Sequence, residues 1–586
     1  MVAIAAPIIE PGVCMIHRRR GQFLPRQELH LVQAWDVSIE YHLPSGLAAA
    51  GDEQLRLGSP FWRLHKVGPV QDNRPPAGDE RGEEPLRGKA RTMSISDWVV
   101  LGSYILIVTT LGGLFYRRRT STSEYFLGSR SMSAVPVAIS LVAADLSAIT
   151  YMGVPAWCYS RNMELFLTTC AYLLAAPVVM RLFMPFYSRF NFYTGYEYLE
   201  RRFDLKTRLL GSAIFLLTRG AHVAIVIYVP SLALSVITGL PVYVCVLIMG
   251  VFTTFYTTLG GMKAVIWTDV LQFSVLVLGM VAIFGLSVAR IPGGVLGAFQ
   301  VAKQAGRLQL LNFSLNPREL TSVWATLFGG GTMVLSTFAT DQAYLQRYFT
   351  TKSLREGQRS ILMDALISIP VVLVLYLLGA VLYAFYHFHP ARLQGLPHLD
   401  AILPFFVVHE LGGLFSGLII ASIFASSMAV MSAGINALTT VTTVDIYRRL
   451  LQPAGDESHY VVVGRLGTLG WGAVATAAAL FVGRLGPIAT AFNIISSFLG
   501  GPILGIFLLG MLFRRVNGTG AVAGGGVGLV AVSLLARCSQ VSFFYYAPVG
   551  TLVTMAFGYL ISLFRPARSA SELAGLVRSL ETPTTR

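Results

Sequence analysis

Apolar residues run through this chain in long blocks, separated by short polar turns in which arginine recurs. A bilayer core asks for about 20 such residues per helix, and the pattern predicts about thirteen crossings. Their apolar cores fall at 96–116, 134–156, 163–187, 208–237, 241–259, 264–290, 321–341, 360–387, 411–440, 461–483, 486–512, 519–536 and 542–564. The expected fold is therefore an all-α polytopic membrane protein. The basic turns hold Arg117 to Arg119, Arg201, Arg202, Lys206, Arg208, Arg347, Lys352, Arg355, Arg448, Arg449, Arg514 and Arg515. Cytoplasmic loops collect Lys and Arg, so the first span starts outside and the C-terminus lies inside. The 291–320 loop, with Lys303, Arg307 and Arg318, is the main exception.

Composition agrees with the pattern. Hydrophobic residues make up 54% and charged residues 13%, where a soluble domain carries roughly 25% charged residues. The net charge of +15 sits in loops and encodes topology, so nucleic acid is not an expected partner, and the lipid bilayer is. Five cysteines are scattered without metal-ligand spacing, which predicts neither a disulfide framework nor a zinc site. Residues 1–92 are polar, rich in Arg, Pro and Gly, and hold no spanning run. They are expected to be a poorly structured extension, with Met93 beginning the native chain. Residues 93–565 are expected to form the transmembrane domain and 566–586 a short cytoplasmic tail.

One apolar run carries unusual chemistry. Ser422 to Tyr447 contains Ser426, Ser427, Ser432, Asn436, Thr439, Thr440, Thr442 and Thr443. Hydrocarbon offers no water to such groups, so they face a bundle interior or a hydrated path. Interhelical hydrogen bonding accounts for any one of them, and less well for all of them. Asp145 lies in the middle of the second run, where a carboxylate costs at least ~2.5 kcal/mol. It is read as a cation, proton or donor partner, with a structural bond to Ser, Tyr or Arg as the alternative. Gly329, Gly330 and Gly331 interrupt the seventh run, five spans after the second. Interrupted helices at corresponding positions of two repeats point to a transporter site, although such glycines also serve close packing. Asp269, after a Gly-Gly turn, reads as a helix cap or an inner gate, and Asp341 as an interfacial partner of Arg347. A mid-membrane pocket is expected from Thr150, Tyr151, Tyr228, Trp324 and Phe338, with His222 bonded within the bundle. No phosphate-binding loop, GxSxG, HExxH or CxxC motif is present, so an enzyme or an ATP-driven pump is not expected.

Five segments carry a resemblance: EYFLGSRSMS (Glu124–Ser133), AADLS (Ala143–Ser147), GGMKAVIWTDVLQ (Gly260–Gln272), TDQAYLQRY (Thr340–Tyr348) and NALTTVTTVDIYRR (Asn436–Arg449). In order and content they resemble the sodium:solute symporter family. VPAWCYSRNMELF, YEYLERRF and VIYVPSLAL look most like its iodide, multivitamin and monocarboxylate branch. The resemblance implies a LeuT-like ten-helix core of two inverted five-helix repeats, with one helix before it and two after. It implies cation (sodium)-coupled symport of a small organic solute or anion across the plasma or inner membrane by alternating access, with no cofactor beyond the coupling ion. It places sodium between Ala143, Asp145 and Leu146 on one helix and Ser426 on another, with Asp269 near the inward exit. One departure is plain: Ala429 and Val430 stand where the family has two hydroxyl ligands. A site rearranged around Ser426 or Ser432, proton coupling and weak coupling all stay open. So does a solute sensor on the same fold, although the short tail argues against it. Thr150 and Leu259 also replace residues expected of the sugar branch, so a sugar solute is disfavoured.

Overall fold

Capping chemistry starts the first membrane helix. Ser94 accepts from the Asp97 N–H and Asp97 accepts from the Ser94 N–H, so two of the end donors are satisfied reciprocally. The computed structural model describes residues 94–115, 121–396, 399–411, 414–483, 488–566 and 568–578. The proposed extension 1–92, the restart at Met93 and the last eight residues of the tail lie outside these. Among the described residues the principal helices are α1 (Ile95–Leu114), α2 (Ala134–Asp145), α3 (Ala148–Ser160), α4 (Phe166–Arg189), α5 (Leu205–Thr238) and α6 (Val242–Val288). There follow α7 (Gly331–Thr340), α8 (Gln342–Phe349), α9 (Leu354–Phe388), α10 (Leu414–Val441), α11 (Glu457–Val482), α12 (Ile488–Leu512), α13 (Gly518–Cys538) and α14 (Tyr546–Ser562). Nine helices in this set are long and apolar enough to cross a membrane, and the bent pair α2/α3 adds a tenth.

α6 has 47 residues, which at ~1.5 Å per residue is about two bilayer cores long. It folds at Gly261, where φ 58° and ψ −166° are dihedrals that in practice only glycine adopts. Two separate apolar runs of the sequence, 241–259 and 264–290, thus meet at one glycine hinge.

Two spans are interrupted. α2 and α3 diverge by 63° across Leu146 and Ser147. The second interruption differs from expectation. Ala325–Gly330 widens into a π-helix in which Gly330 and Gly331 keep helical dihedrals, so the glycines mark a change of winding, and the chain unwinds at Asp341 (φ −79°, ψ 122°), between α7 and α8. The glycines serve packing: a Cβ on Gly329 would come within 2.4 Å of the Phe544 carbonyl oxygen, and one on Gly330 within 2.9 Å of Thr168. Asp341 makes the break tenable, because its Oδ1 accepts from the Ala343 N–H (2.8 Å) and so caps α8.

α10 is enclosed nearly all round. Ser422, Ser427, Ser432, Thr440 and Asn436 are all buried, as are Ala429 and Val430. α1 fastens to it where Ser416 donates to Asp97 (2.6 Å). At the arginine-rich end, the short helix Tyr196–Arg202 carries Glu200 between two guanidiniums, Arg208 (2.7 Å) and Arg449 (2.7 Å). Burial disfavours the Glu200 carboxylate, yet the hydrogen bonds from Arg449 and Arg208 prevail and hold it below the ordinary range. The tail is folded back on this helix: Tyr198 donates to the Leu576 carbonyl (3.0 Å), and Leu573 and Val577 are buried.

Candidate functional site

A cavity of about 630 Å³ lies between the two helix breaks. That volume suits a small organic molecule. One wall is α3, which contributes Ile149, Thr150 and Trp157. The others come from Thr168 and Tyr172 of α4, Arg219 and His222 of α5, Thr337 and Phe338 of α7, and Tyr344 of α8.

Helical geometry explains what the α2–α3 junction offers. In an unbroken helix the Ser147 N–H would close on the Ala143 carbonyl and the Ala148 N–H on the Ala144 carbonyl. Here Ser147 donates to Asp145 O (3.0 Å), and Ala148 donates to the Ser427 hydroxyl (3.3 Å). The carbonyls of Ala143 and Ala144 are released from the helix, as happens where interrupted membrane helices meet ions. Leu146, at the bend itself, is buried and has φ −82° and ψ 78°.

On α10, the hydroxyl that reaches this junction belongs to Ser427. Ser426, expected there, donates to its own helix at the Ile423 carbonyl (2.7 Å). Ser432 donates to the Ala429 carbonyl (3.0 Å) and to Asp269 (3.5 Å), away from the junction. Ala429 and Val430 are packed in the interior and bring no side-chain oxygen.

Asp145 faces the cavity, and its carboxylate accepts from the hydroxyls of Tyr172 and, at 2.8 Å, Tyr344. The alternative reading, a structural bond to a tyrosine, is thus present twice over. Phe338 sits between them, with ring centroids 5.2 Å from Tyr172 and 5.4 Å from Tyr344. Asp269 does not cap a helix: it lies within α6 and is fully buried. Its carboxylate pairs with Arg347 (2.8 Å) and accepts from Ser140 (2.5 Å), both partners being buried. Arg347 is accordingly not the partner of Asp341. That role falls to Arg219, whose Nη2 meets Asp341 Oδ2 at 2.5 Å.

Of the residues expected in the pocket, Thr150 and Phe338 line it. Tyr151 is buried and accepts from Ser422 (2.9 Å). Tyr228 packs its hydroxyl against Gly483. Trp324 is 38% exposed and stacks on the exposed Phe328. None of these three is among the lining residues. His222 shares a hydrogen bond with Arg219 (3.1 Å), within the bundle as expected, and faces the cavity as well. Arg219 itself was missed. The signal for it was a lone arginine inside an apolar run, which the sequence shows in FLLTRGAHVAIV.

Two interrupted helices around a central solute-sized cavity, with freed carbonyls at one break, define a secondary transporter of the LeuT type. The sodium:solute symporter family model matches residues 125–528, and the chain belongs to that family. The sodium/sialic acid symporter NanT of Aliivibrio fischeri is 30% identical over 501 residues, which are 85% of this chain and 99% of that protein. The sodium-dependent multivitamin transporter of Oryctolagus cuniculus is 32% identical over 79% of this chain and 72% of its own length. The human sodium/iodide cotransporter is 31% identical over 78% and 70%. Among solved structures, a substrate-bound, outward-open Na+-coupled sialic acid symporter superposes with a TM-score of 0.75 at 29% identity, covering 81% of this chain and 99% of that one. A nucleobase-cation-symport-1 family transporter shares the fold at a TM-score of 0.51 and 12% identity, over 78% of this chain and 98% of its own.

Proposed function

We propose that this protein couples inward sodium flow to uptake of a small organic solute by alternating access, with the N-terminal end of α1 outside and the C-terminus in the cytoplasm of the cell it serves. The observation that carries the proposal is the α2–α3 junction, where released backbone carbonyls and the Ser427 hydroxyl converge. Sodium is a hard cation and takes oxygen ligands. An unwound helix supplies them without placing extra charge in the membrane. Ala143 and Leu146 fit this role through backbone oxygens, and Asp145 lends a negative field from the cavity side. Asp269 does not fit, because a guanidinium already neutralises it. Ser427 fits better than Ser426 or Ser432, since it alone of the three bonds to the junction.

The apolar pair Ala429 and Val430 favours a second reading, in which protons drive transport or coupling is weak. Sodium-dependent stability separates the two. Thermal unfolding of the purified protein should shift upward with sodium chloride relative to choline chloride. Ser427→Ala should weaken the apparent sodium affinity about tenfold, the worth of one hydrogen bond to a charged group. Ala429→Ser combined with Val430→Thr should strengthen it. Identical curves in sodium and choline, with a midpoint that follows pH instead, would favour the proton.

A further inference from the structure

Resting on the transporter assignment, we propose that the solute enters as a carboxylate that binds Arg219, and that Asp341 is the internal counter-ion it displaces. A guanidinium within a membrane helix is costly and is kept where it pairs or works. Arg219 differs from the other buried arginines in what surrounds it. Arg347 is held by Asp269, Ser140 and the Ala343 carbonyl. Arg208 is held by Asp445 and Glu200, and Arg202 by carbonyls of Gly510 and Phe513. None of those three lines the cavity, and Arg219 does.

Its carboxylate partner is the less buried member of the pair. The Asp341 side chain is 22% exposed and that of Arg219 6%. A planar guanidinium matches a carboxylate in two parallel hydrogen bonds, which makes an acid the natural competitor for Asp341. His222 Nδ1 takes the Arg219 Nη1 contact at 3.1 Å, which orients the guanidinium along α5. The arginine stem passes over Gly434 of α10, where an added Cβ would stand 3.5 Å from the Arg219 Cδ. Phe338 and Tyr172 give the rest of such a solute an apolar flank.

Displacement has a consequence at the second helix break. Asp341 bonds Arg219 through Oδ2 and caps α8 through Oδ1. Once a solute carboxylate takes the guanidinium, only the cap holds Asp341. α8 carries Tyr344, which donates to Asp145 beside the α2–α3 junction. Solute at Arg219 is thereby linked to the proposed ion site. The charges call for joint loading: the one lining guanidinium shares the cavity with the carboxylates of Asp145, Asp341 and Asp400, so an anion enters a site already rich in negative charge and an incoming sodium ion offsets it.

The test uses the purified full-length protein with sodium present and matched acid–amide probes: lactate and lactamide, nicotinate and nicotinamide, benzoate and benzamide, with galactose as a neutral solute. Thermal stabilisation should follow the acids and not their amides. Arg219→Gln should weaken acid binding tenfold or more, and Arg219→Lys should retain part of it. Asp341→Asn should tighten acid binding several-fold, because asparagine keeps the cap acceptor and gives up the competing charge. Equal stabilisation by acids and amides would overturn the proposal, as would unaltered acid binding in both Arg219 variants. Sodium-dependent binding of galactose or the amides alone would overturn it too, while leaving symport standing. Solute binding that ignores sodium would instead count against symport itself.

Discussion

Replacing Arg347 alone with methionine should destabilise the protein by about 3–5 kcal/mol, the usual cost of stranding one member of a buried ion pair. The side chains of Arg347 and Asp269 are 1% and 0% exposed, so Asp269 would be left as a charge with only hydroxyl partners. Ser140, bonded to both members, would lose one of its two contacts. Asp269→Leu together with Arg347→Met removes both charges and should recover much of the loss, because paired burial is close to neutral against apolar replacement. Thermal unfolding of the two single variants and the double variant in detergent measures this cycle. Additive losses would mean that the pair is not coupled as its geometry requires.

Asp145→Asn should keep the fold and lower sodium-driven uptake by about ten- to a hundredfold. Two tyrosine hydroxyls donate into this carboxylate, and hydrogen bonds to a charged group are worth about 1.5–3 kcal/mol each. Asparagine offers one acceptor oxygen and turns an NH2 donor toward the other tyrosine. The negative field beside the freed carbonyls of the α2–α3 junction is lost as well. The readout is the sodium activation curve of uptake, compared with the thermal midpoint. An unchanged curve would remove Asp145 from the coupling machinery.

The sequence made the spans legible because each is an apolar run of bilayer length, and α10 stood out because its hydroxyls had no business in lipid. The rotation of each helix was not legible. α10 is enclosed nearly all round, so no apolar stripe tells Ser426 from Ser427, and only the packed structure shows which one meets Ala148. Consecutive glycines weaken a helix, so the sequence points to Gly329–Gly331 as the second interruption. Neighbours at Phe544, Thr168 and Ala171 hold those residues helical. The chain breaks at Asp341 instead, where one side chain can both cap and pair. Arg347 and Asp341 are close in sequence, yet their partners come from α6 and α5. Charge pairing in a bundle is set by which helices touch, and single-chain spacing does not encode that.

Asp145 was legible as important and not as to its manner. A lone carboxylate in an apolar run announces a partner, and the two tyrosines that satisfy it come from helices 27 and 199 residues further along the chain. Ala429 and Val430 stand out in the sequence only against the family resemblance, which expects two hydroxyls there. Their burial shows that the interior of α10 closes over that position with hydrocarbon.

The central claim is that sodium drives solute uptake, and proteoliposomes test it most directly. With a stabilising acid as solute, an inward sodium gradient should accumulate it above the external concentration, and a sodium ionophore should abolish the accumulation. Accumulation that persists with choline in place of sodium, or that follows a proton gradient alone, would contradict the account.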